Sequence, residues 1–242
     1  MTSKPLHALQ FAYQNTPWEV NLQTLLLLLN ETKAGSLTLA PELCLTGYPY
    51  TQMSQAAAFS QKALPQLQEA SKGRQIGLTM VIEENGYFFN RFVLLNDTKV
   101  EYTQNKAKLF PLGDEPSYFH AGATEAIGCL TCKDETVIGV LICFELRFTS
   151  LWEQLKGADI ILVPAFWGKE RQTHYVTLCR ALAIANQCYV IAANSSDETM
   201  CAGSAIIDPF GEVITDNQAS RLDGFADTRK IKTMRRYITI GL

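Results

Sequence analysis

The chain has 242 residues, 47% hydrophobic and 19% charged, a composition typical of a globular protein that can bury a large core. Its formal net charge of −3 provides no basic surface for nucleic acid, and we interpret the one dense cationic stretch, residues 229–236, as a solvated face or a subunit contact. The longest strongly apolar run, residues 25–29, is too short to cross a bilayer, and seven cysteines in a chain of this size indicate reduced, mostly buried thiols. We therefore expect a soluble cytoplasmic protein without a membrane partner.

Apolar runs of strand length alternate with segments of helical periodicity along the chain. Residue 16, a threonine, and Pro17 predict the N-cap and first residue of the first helix. Helices are predicted at residues 17–32, 53–72, 149–156 and 174–186, and strands at 6–13, 36–39, 75–82, 87–96, from 99 onward, 126–132, 136–143, 160–164, 189–194, 204–208 and 213–215. Residues 111–122, rich in Pro, Gly and charge, are predicted to form a loop.

The order of these elements indicates the fold class. Strands alternate with helices, but pairs of strands also follow one another directly, which favours an α/β layered fold over a simple doubly wound sheet. No repeat, low-complexity tract or linker marks a boundary. We expect a single domain covering residues 1–242.

Cys143 stands where a buried strand gives way to a different pattern. Residues 137–142, VIGVLI, are almost entirely aliphatic, and residues 144–147, FELR, alternate bulky and polar side chains. A cysteine at such a point can present its sulfur to a cleft beside free backbone N–H groups, as a nucleophile requires. The alternative is one more buried structural thiol.

Two other remote segments also place a reactive group just after a strand. Glu42 follows a proline after the strand at residues 36–39, and a lysine at 106 or 108 follows the strand that begins at residue 99. A carboxylate, an ammonium and a thiol together supply the base, the oxyanion partner and the nucleophile of a cysteine hydrolase. A Cys-His arrangement is the weaker alternative, since none of the histidines is placed to act as the base: His7, His120 and His174.

Five sequence blocks in order resemble the nitrilase superfamily of carbon–nitrogen hydrolases. They are PELCLTGYP around Glu42, NKAKLF around Lys106, GDEPSYFHAG around Glu115, GVLICFELRF around Cys143, and GSAIIDPFGEVI at residues 203–214. In that family the catalytic lysine stands two residues before a position that is usually His, which selects Lys106 over Lys108. The resemblance implies a four-layer αββα sandwich that pairs into a homodimer or a higher homo-oligomer.

The resemblance also implies roles for single residues. Cys143 would be the nucleophile, Glu42 the general base and acid, and Lys106 with the N–H of Phe144 would hold the oxyanion. Glu115 would support the lysine and help to position substrate. An ammonium beside the thiol is also expected to favour the thiolate. The resemblance implies no metal and no other cofactor.

Several positions depart from the family pattern or bear on specificity. Trp167 resembles a tryptophan that lines the pocket in the bacterial amidase branch, and core packing is the alternative for it. Leu182 and Ala185 replace an Arg and a Glu that usually form an ion pair, and Arg180 is a candidate to substitute for it in part. Glu145 stands where Asp is commoner.

Cys129 and Cys132 form the spacing CLTC, which suggests half a zinc site or a redox pair as an alternative use. No second pair at similar spacing accompanies them, and residues three apart on a strand point to opposite faces. We therefore do not favour metal or redox use here, and we expect Cys44, Cys179, Cys188 and Cys201 to be packing residues.

The leading functional hypothesis is hydrolysis of a small linear amide, with an ω-amide of a dicarboxylic acid as one candidate, and release of ammonia or an amine. Within the same chemistry, N-carbamoyl hydrolysis is the alternative, and a nitrile substrate is less favoured. From another class, the chain could be an inactive homologue that serves as a partner-binding scaffold.

Overall fold

Two six-stranded sheets lie face to face in the computed structural model of the chain, which describes residues 3–15 and 17–239. The strands are Ser3–Leu9 (β1), Leu37–Leu39 (β2), Gln75–Glu84 (β3), Tyr87–Asn96 (β4), Lys99–Asn105 (β5), Leu130–Thr131 (β6), Val137–Val140 (β7), Ile160–Ala165 (β8), Tyr189–Asn194 (β9), Ala205–Ile207 (β10), Val213–Ile214 (β11) and Arg221–Asp227 (β12). The helices are Trp18–Asn30 (α1), Met53–Ala70 (α2), Glu115–Tyr118 (α3), Thr149–Gln154 (α4), Gln172–Asn186 (α5) and Thr228–Tyr237 (α6).

The two sheets share one plan. The first has the order β12-β1-β2-β3-β4-β5 and the second β11-β10-β9-β8-β7-β6. In each, three central strands are parallel, β1-β2-β3 and β7-β8-β9, and the outer strands are antiparallel. Because parallel strands end at the same edge of a sheet, β2, β7 and β8 deliver the segments that follow them to one side of the molecule.

Alternation along the strands of the first sheet creates two packed faces. Phe92 and Leu94 of β4 face the second sheet, in one core with Ile138 and Val140, and Val93 and Leu95 face α1 and α2. Each such buried aliphatic or aromatic side chain contributes roughly 1.5–3 kcal/mol of burial free energy. The layers are therefore helix, sheet, sheet, helix, and the predicted αββα sandwich is confirmed.

Several predicted boundaries move. Helix α1 begins at Trp18, so Pro17 precedes the helix, and residue 16, predicted as its N-cap, lies outside the described residues. Of the strand predicted at residues 126–132 only Leu130–Thr131 forms, and the predicted loop at 111–122 contains the short helix α3. The prediction of a strand reaching Cys143 is wrong, because β7 ends at Val140 and the side chain of Glu145 binds the N–H of Ile142 at 2.7 Å.

The C-terminal part of the chain forms a strand and a helix that the sequence pattern did not predict, and the helix contains the cationic stretch. Strand β12 pairs with β1, and Asp227 caps α6 by accepting from the N–H of Arg229 at 2.8 Å. Lys230 and Arg235 of α6 pair with Asp208 and Asp159 of the same chain. Among the residues that the structure describes, no helix is both long and apolar enough to cross a membrane.

Candidate active site

Glu42, Lys106 and Cys143 meet at one end of the sandwich. Glu42 lies three residues after β2, Lys106 directly after β5, and Cys143 three residues after β7. The first two leave the first sheet and the third leaves the second sheet, so the cluster lies across the seam between the sheets. The three residues that the sequence singled out are therefore brought together.

The turn that carries Glu42 is fixed by its backbone. The N–H of Glu42 donates to the carbonyl of Ala165, the last residue of β8, at 3.2 Å. The next residue, Leu43, has a φ of 46°, and its N–H donates to the hydroxyl of Thr79 at 2.6 Å. A left-handed non-glycine residue is held only where surrounding contacts compensate its cost. Those two hydrogen bonds therefore set the direction of the Glu42 carboxylate.

Lys106 bridges two carboxylates. Its Nζ donates to Oε1 of Glu42 at 2.8 Å and to Oε1 of Glu115 at 2.7 Å, and all three side chains are buried. Asn90 donates to Glu42 Oε1 at 2.8 Å, and the Tyr48 hydroxyl donates to Glu115 Oε1 at 3.1 Å. A buried ion pair is tolerated only with such satisfied partners, since the desolvation cost is several kcal/mol per ion.

The charged groups of this cluster shift one another's pKa values. Burial opposes the charged form of Lys106, but its electrostatic interactions with Glu42, Cys143 and Glu115 outweigh burial and raise the pKa of the lysine. Burial raises the pKa of Glu115, and Lys106 partly offsets that effect. Lys106 is therefore a permanently protonated donor held between two acids.

Cys143 begins a 3₁₀ turn, Cys143–Arg147, with a φ of 51°. Burial and the negative charge of Glu42 raise the pKa of its thiol well above the usual value, although Lys106 acts in the opposite direction. Lys106 thus acts in the expected direction, toward the thiolate, but burial, which has the largest effect on the pKa of the thiol, and the charge of Glu42 outweigh it. A nucleophile at this position needs a base, and Oε2 of Glu42 is buried without a hydrogen-bond partner in the described part of the chain.

Phe144 follows as the second residue of the turn. The first N–H groups of a helical turn have no acceptor inside it, so the N–H of Phe144 is left available at the level of the sulfur. Its ring lies 5.1 Å from that of Phe110, which leads into the Glu115 segment. The backbone of the turn thus offers a donor beside the thiol.

Glu145 connects the lysine segment to the cysteine turn, a role that the sequence did not reveal. Its Oε1 accepts from the N–H groups of Ala107 at 2.6 Å and Lys108 at 3.4 Å, and its Oε2 accepts from the N–H of Ile142 at 2.7 Å. The side chain is fully buried. The position of this acidic residue, two residues after the candidate nucleophile Cys143, was the available signal for its role. A carboxylate that is buried beside a nucleophile requires hydrogen-bond donors around it.

A small cleft opens at Cys143. Its open volume is about 240 Å³ and it is lined by Phe110, Cys143, Phe144, Arg147, Phe166, Trp167 and Arg171. Trp167 is only 4% exposed, so it serves both as core and as cleft wall. Asn194 holds its backbone at both ends, accepting from its N–H at 2.8 Å and donating to its carbonyl at 3.1 Å.

The remaining candidates lie elsewhere. None of the three histidines lines the cleft: His7 lies 2.7 Å from Asp223, His120 packs against the ring of Tyr87, and His174 contacts Arg147. Cys129 is exposed and Cys132 is buried, and no group of three or more metal-binding side chains occurs in residues 3–15 and 17–239.

Leu182 of α5, which replaces the usual arginine of the family pattern, is explained by packing. Leu182 is fully buried in the core, where its aliphatic side chain packs in place of a charge. Arg180 is exposed and has no ion pair among the described residues, so it does not replace the missing one.

Comparison with known proteins places the chain in a family. The model described as carbon-nitrogen hydrolase matches residues 8–227. The chain belongs to the carbon-nitrogen hydrolase family. This carbon–nitrogen hydrolase is 29% identical to a 2-oxoglutaramate amidase of Bacillus subtilis, over 77% of the chain and 75% of that protein. It is 32% identical to the omega-amidase YafV of Escherichia coli over 55% of the chain, and the match spans 54% of that relative.

The fold of the carbon–nitrogen hydrolase also matches solved structures. Saccharomyces cerevisiae Nit3, a member of branch 10 of the nitrilase superfamily, aligns with a TM-score of 0.86 and 18% identity, covering 100% of this chain and 96% of that one. The family model thus confirms the expected relation to the carbon–nitrogen hydrolases, and the solved structure confirms the fold.

Proposed function

We propose that this carbon–nitrogen hydrolase cleaves a small linear carboxamide to the carboxylic acid and ammonia through a thioester on Cys143. The observation that carries the proposal is the buried Lys106, which is bonded at 2.8 Å to Glu42 and at 2.7 Å to Glu115 beside a thiol in a small cleft. That arrangement supplies a nucleophile, a base and a fixed positive donor in one water-poor site.

In the first half-reaction Glu42 takes the thiol proton as the sulfur of Cys143 attacks the amide carbon. Negative charge then develops on the carbonyl oxygen, where Lys106 and the N–H of Phe144 stabilise it. As the C–N bond breaks, Glu42 returns the proton to the leaving nitrogen, which departs as ammonia. The acyl group remains on the sulfur as a thioester.

In the second half-reaction water replaces ammonia. Glu42 removes a proton from the water, whose oxygen attacks the thioester carbon, and the same donors hold the second oxyanion. The C–S bond breaks, the thiol regains its proton from Glu42, and the carboxylic acid leaves. Glu115 takes no proton in this scheme; it positions Lys106 through Oε1 and the Phe110 N–H through Oε2.

The alternatives have less support. The two relatives named above are amidases, which favours an amide over an N-carbamoyl group. A scaffold would gain nothing from a buried lysine and two buried acids, because apolar residues of similar volume often stabilise a fold as well or better.

Three compounds of equal length test the proposed reaction. Glutaramate, N-carbamoyl-β-alanine and 4-cyanobutanoate share a terminal carboxylate and differ in the group that would be hydrolysed. We expect ammonia release to be fastest from glutaramate, with an acyl adduct on Cys143 detectable by mass spectrometry after rapid quenching. Faster release from the carbamoyl compound would favour the alternative, and absence of turnover with every compound would favour the scaffold.

We also propose that the carbon–nitrogen hydrolase is a homodimer. Exposed apolar side chains cluster on the outer layer of the second sheet, with Val176 at 43%, Ile184 at 42% and Phe210 at 47% exposure. Sedimentation equilibrium is expected to give two chains per particle, and Val176→Asp to give one. Leu27→Asp, an exposed leucine on α1 in the opposite outer layer, is the matched control and should leave the dimer intact. A wild-type monomer would contradict this proposal.

A further inference from the structure

Two arginines line the cleft without an acidic partner. Arg147 and Arg171 are half-buried at its wall, and within residues 3–15 and 17–239 no carboxylate oxygen lies within 4.0 Å of either guanidinium. The cleft lining contains no Asp or Glu. A half-buried guanidinium gains from a carboxylate that matches its planar pair of donors.

The two arginines differ in how their donors are used. Arg147 lies over the ring of Trp167, with its Cζ 4.6 Å from the ring centroid, and its Nη2 is 3.1 Å from Nδ1 of His174. Arg147 is therefore committed to holding the cleft wall.

Arg171 is held in place without using its donors. Its Cζ lies 5.3 Å from the centroid of Phe110, and its side chain has no hydrogen-bond acceptor in the described part of the chain. Its backbone N–H donates to the carbonyl of Gly168 at 3.0 Å. Stacking on Phe110 thus holds the guanidinium at the cleft, and its five N–H donors remain unused by the protein.

We propose that Arg171 binds a carboxylate at the far end of the substrate, so that the enzyme selects ω-monoamides of short dicarboxylic acids over neutral amides. This inference rests on the proposed amide hydrolysis at Cys143. The cleft is small, with about 240 Å³ of space that includes its open mouth, which suits a short chain. Its aromatic walls would contact the methylene groups, leaving the amide at the sulfur and the carboxylate at the guanidinium.

Glutaramate and pentanamide test this inference, because they share the amide and the chain length and differ in the terminal carboxylate. Wild-type enzyme is expected to show a higher kcat/KM for glutaramate. Arg171→Gln should lower kcat/KM for glutaramate about 10- to 100-fold, the range for losing a charged hydrogen-bond partner, and should lower kcat/KM for pentanamide much less. Lys169→Gln is the matched control, since Lys169 is exposed, belongs to the same 3₁₀ turn, Lys169–Arg171, and does not line the cleft.

A binding measurement separates recognition from turnover. Glutarate should protect Cys143 of the wild type from iodoacetamide, and this protection should weaken in Arg171→Gln. Equal kcat/KM values of the wild type for the two amides, or equal losses on both in the variant, would overturn the carboxylate assignment while leaving amide hydrolysis intact. Failure of the wild type to release ammonia from either amide would instead reject the proposed function itself.

Discussion

Replacing Glu42 with glutamine is expected to lower kcat by about a thousandfold or more while the fold stays intact. Glutamine keeps an oxygen that can accept from Asn90 and Lys106, as Oε1 of Glu42 does at 2.8 Å in both bonds. It cannot take a proton at the position of Oε2. Because a positioned acid-base group contributes roughly 10²–10⁴-fold, and Glu42 would act in both half-reactions, the loss should lie in the upper part of that range.

Two measurements separate this loss from unfolding. The rate at which iodoacetamide labels Cys143 should fall in Glu42→Gln, because the thiol, whose pKa burial raises, loses the carboxylate that would take its proton. The denaturant midpoint should change little. Glu153→Gln, at a largely exposed glutamate, is the control and should match the wild type in both respects. Retention of more than about a tenth of the activity in Glu42→Gln would exclude Glu42 as the base.

Glu145→Ala is expected to lower the free energy of unfolding by about 3–5 kcal/mol. The change would leave the N–H groups of Ala107 and Ile142 buried without an acceptor and would weaken the bond to Lys108. It would also disconnect the segment after Lys106 from the turn of Cys143, so kcat should fall together with stability. Urea denaturation followed by circular dichroism measures the first effect.

The carboxyl group of Glu145 is also expected to make the stability of the protein depend on pH. Burial raises the pKa of Glu145 to about 7, although its backbone N–H partners act in the opposite direction. The folded state therefore holds the Glu145 proton more tightly than the unfolded chain, in which the pKa of the group is near 4.5. The contribution of Glu145 to the free energy of unfolding is therefore largest below about pH 4.5. It falls as the pH rises from about 4.5 to 7 and is constant above pH 7. Glu145→Gln should remove that component, seen by comparing unfolding at pH 5 and pH 8. An unchanged pH slope in the glutamine variant would contradict the assignment.

Much of the architecture could be predicted from hydrophobic periodicity. Strands with both faces buried, such as β8 and β9, carry continuous apolar runs, and their bounds agree with the predictions to within one residue. Strand β12 escaped prediction because its buried positions, Leu222, Gly224 and Ala226, alternate with charged or exposed residues and include a glycine.

The candidate site was predictable in its residues but not in its electrostatics. The family-like blocks singled out Glu42, Lys106 and Cys143, which the structure brings together. The direction in which the pKa of the Cys143 thiol shifts could not be predicted, because it depends on the burial of the thiol and on the charges around it in the folded chain. The role of Glu145 also lay beyond sequence reasoning, since it depends on three backbone N–H groups that converge only in the folded chain.

The division of the cluster between two sheets makes alignment of the layers a condition for turnover. Glu42 and Lys106 move with the first sheet, and Cys143 and Trp167 move with the second. The backbone bond from Glu42 to Ala165 joins the layers within this region. A shift of one layer against the other by an ångström or so would leave both layers folded but would separate the Glu42 carboxylate from the Cys143 sulfur. Activity is therefore more sensitive than folding to the relative position of the two sheets.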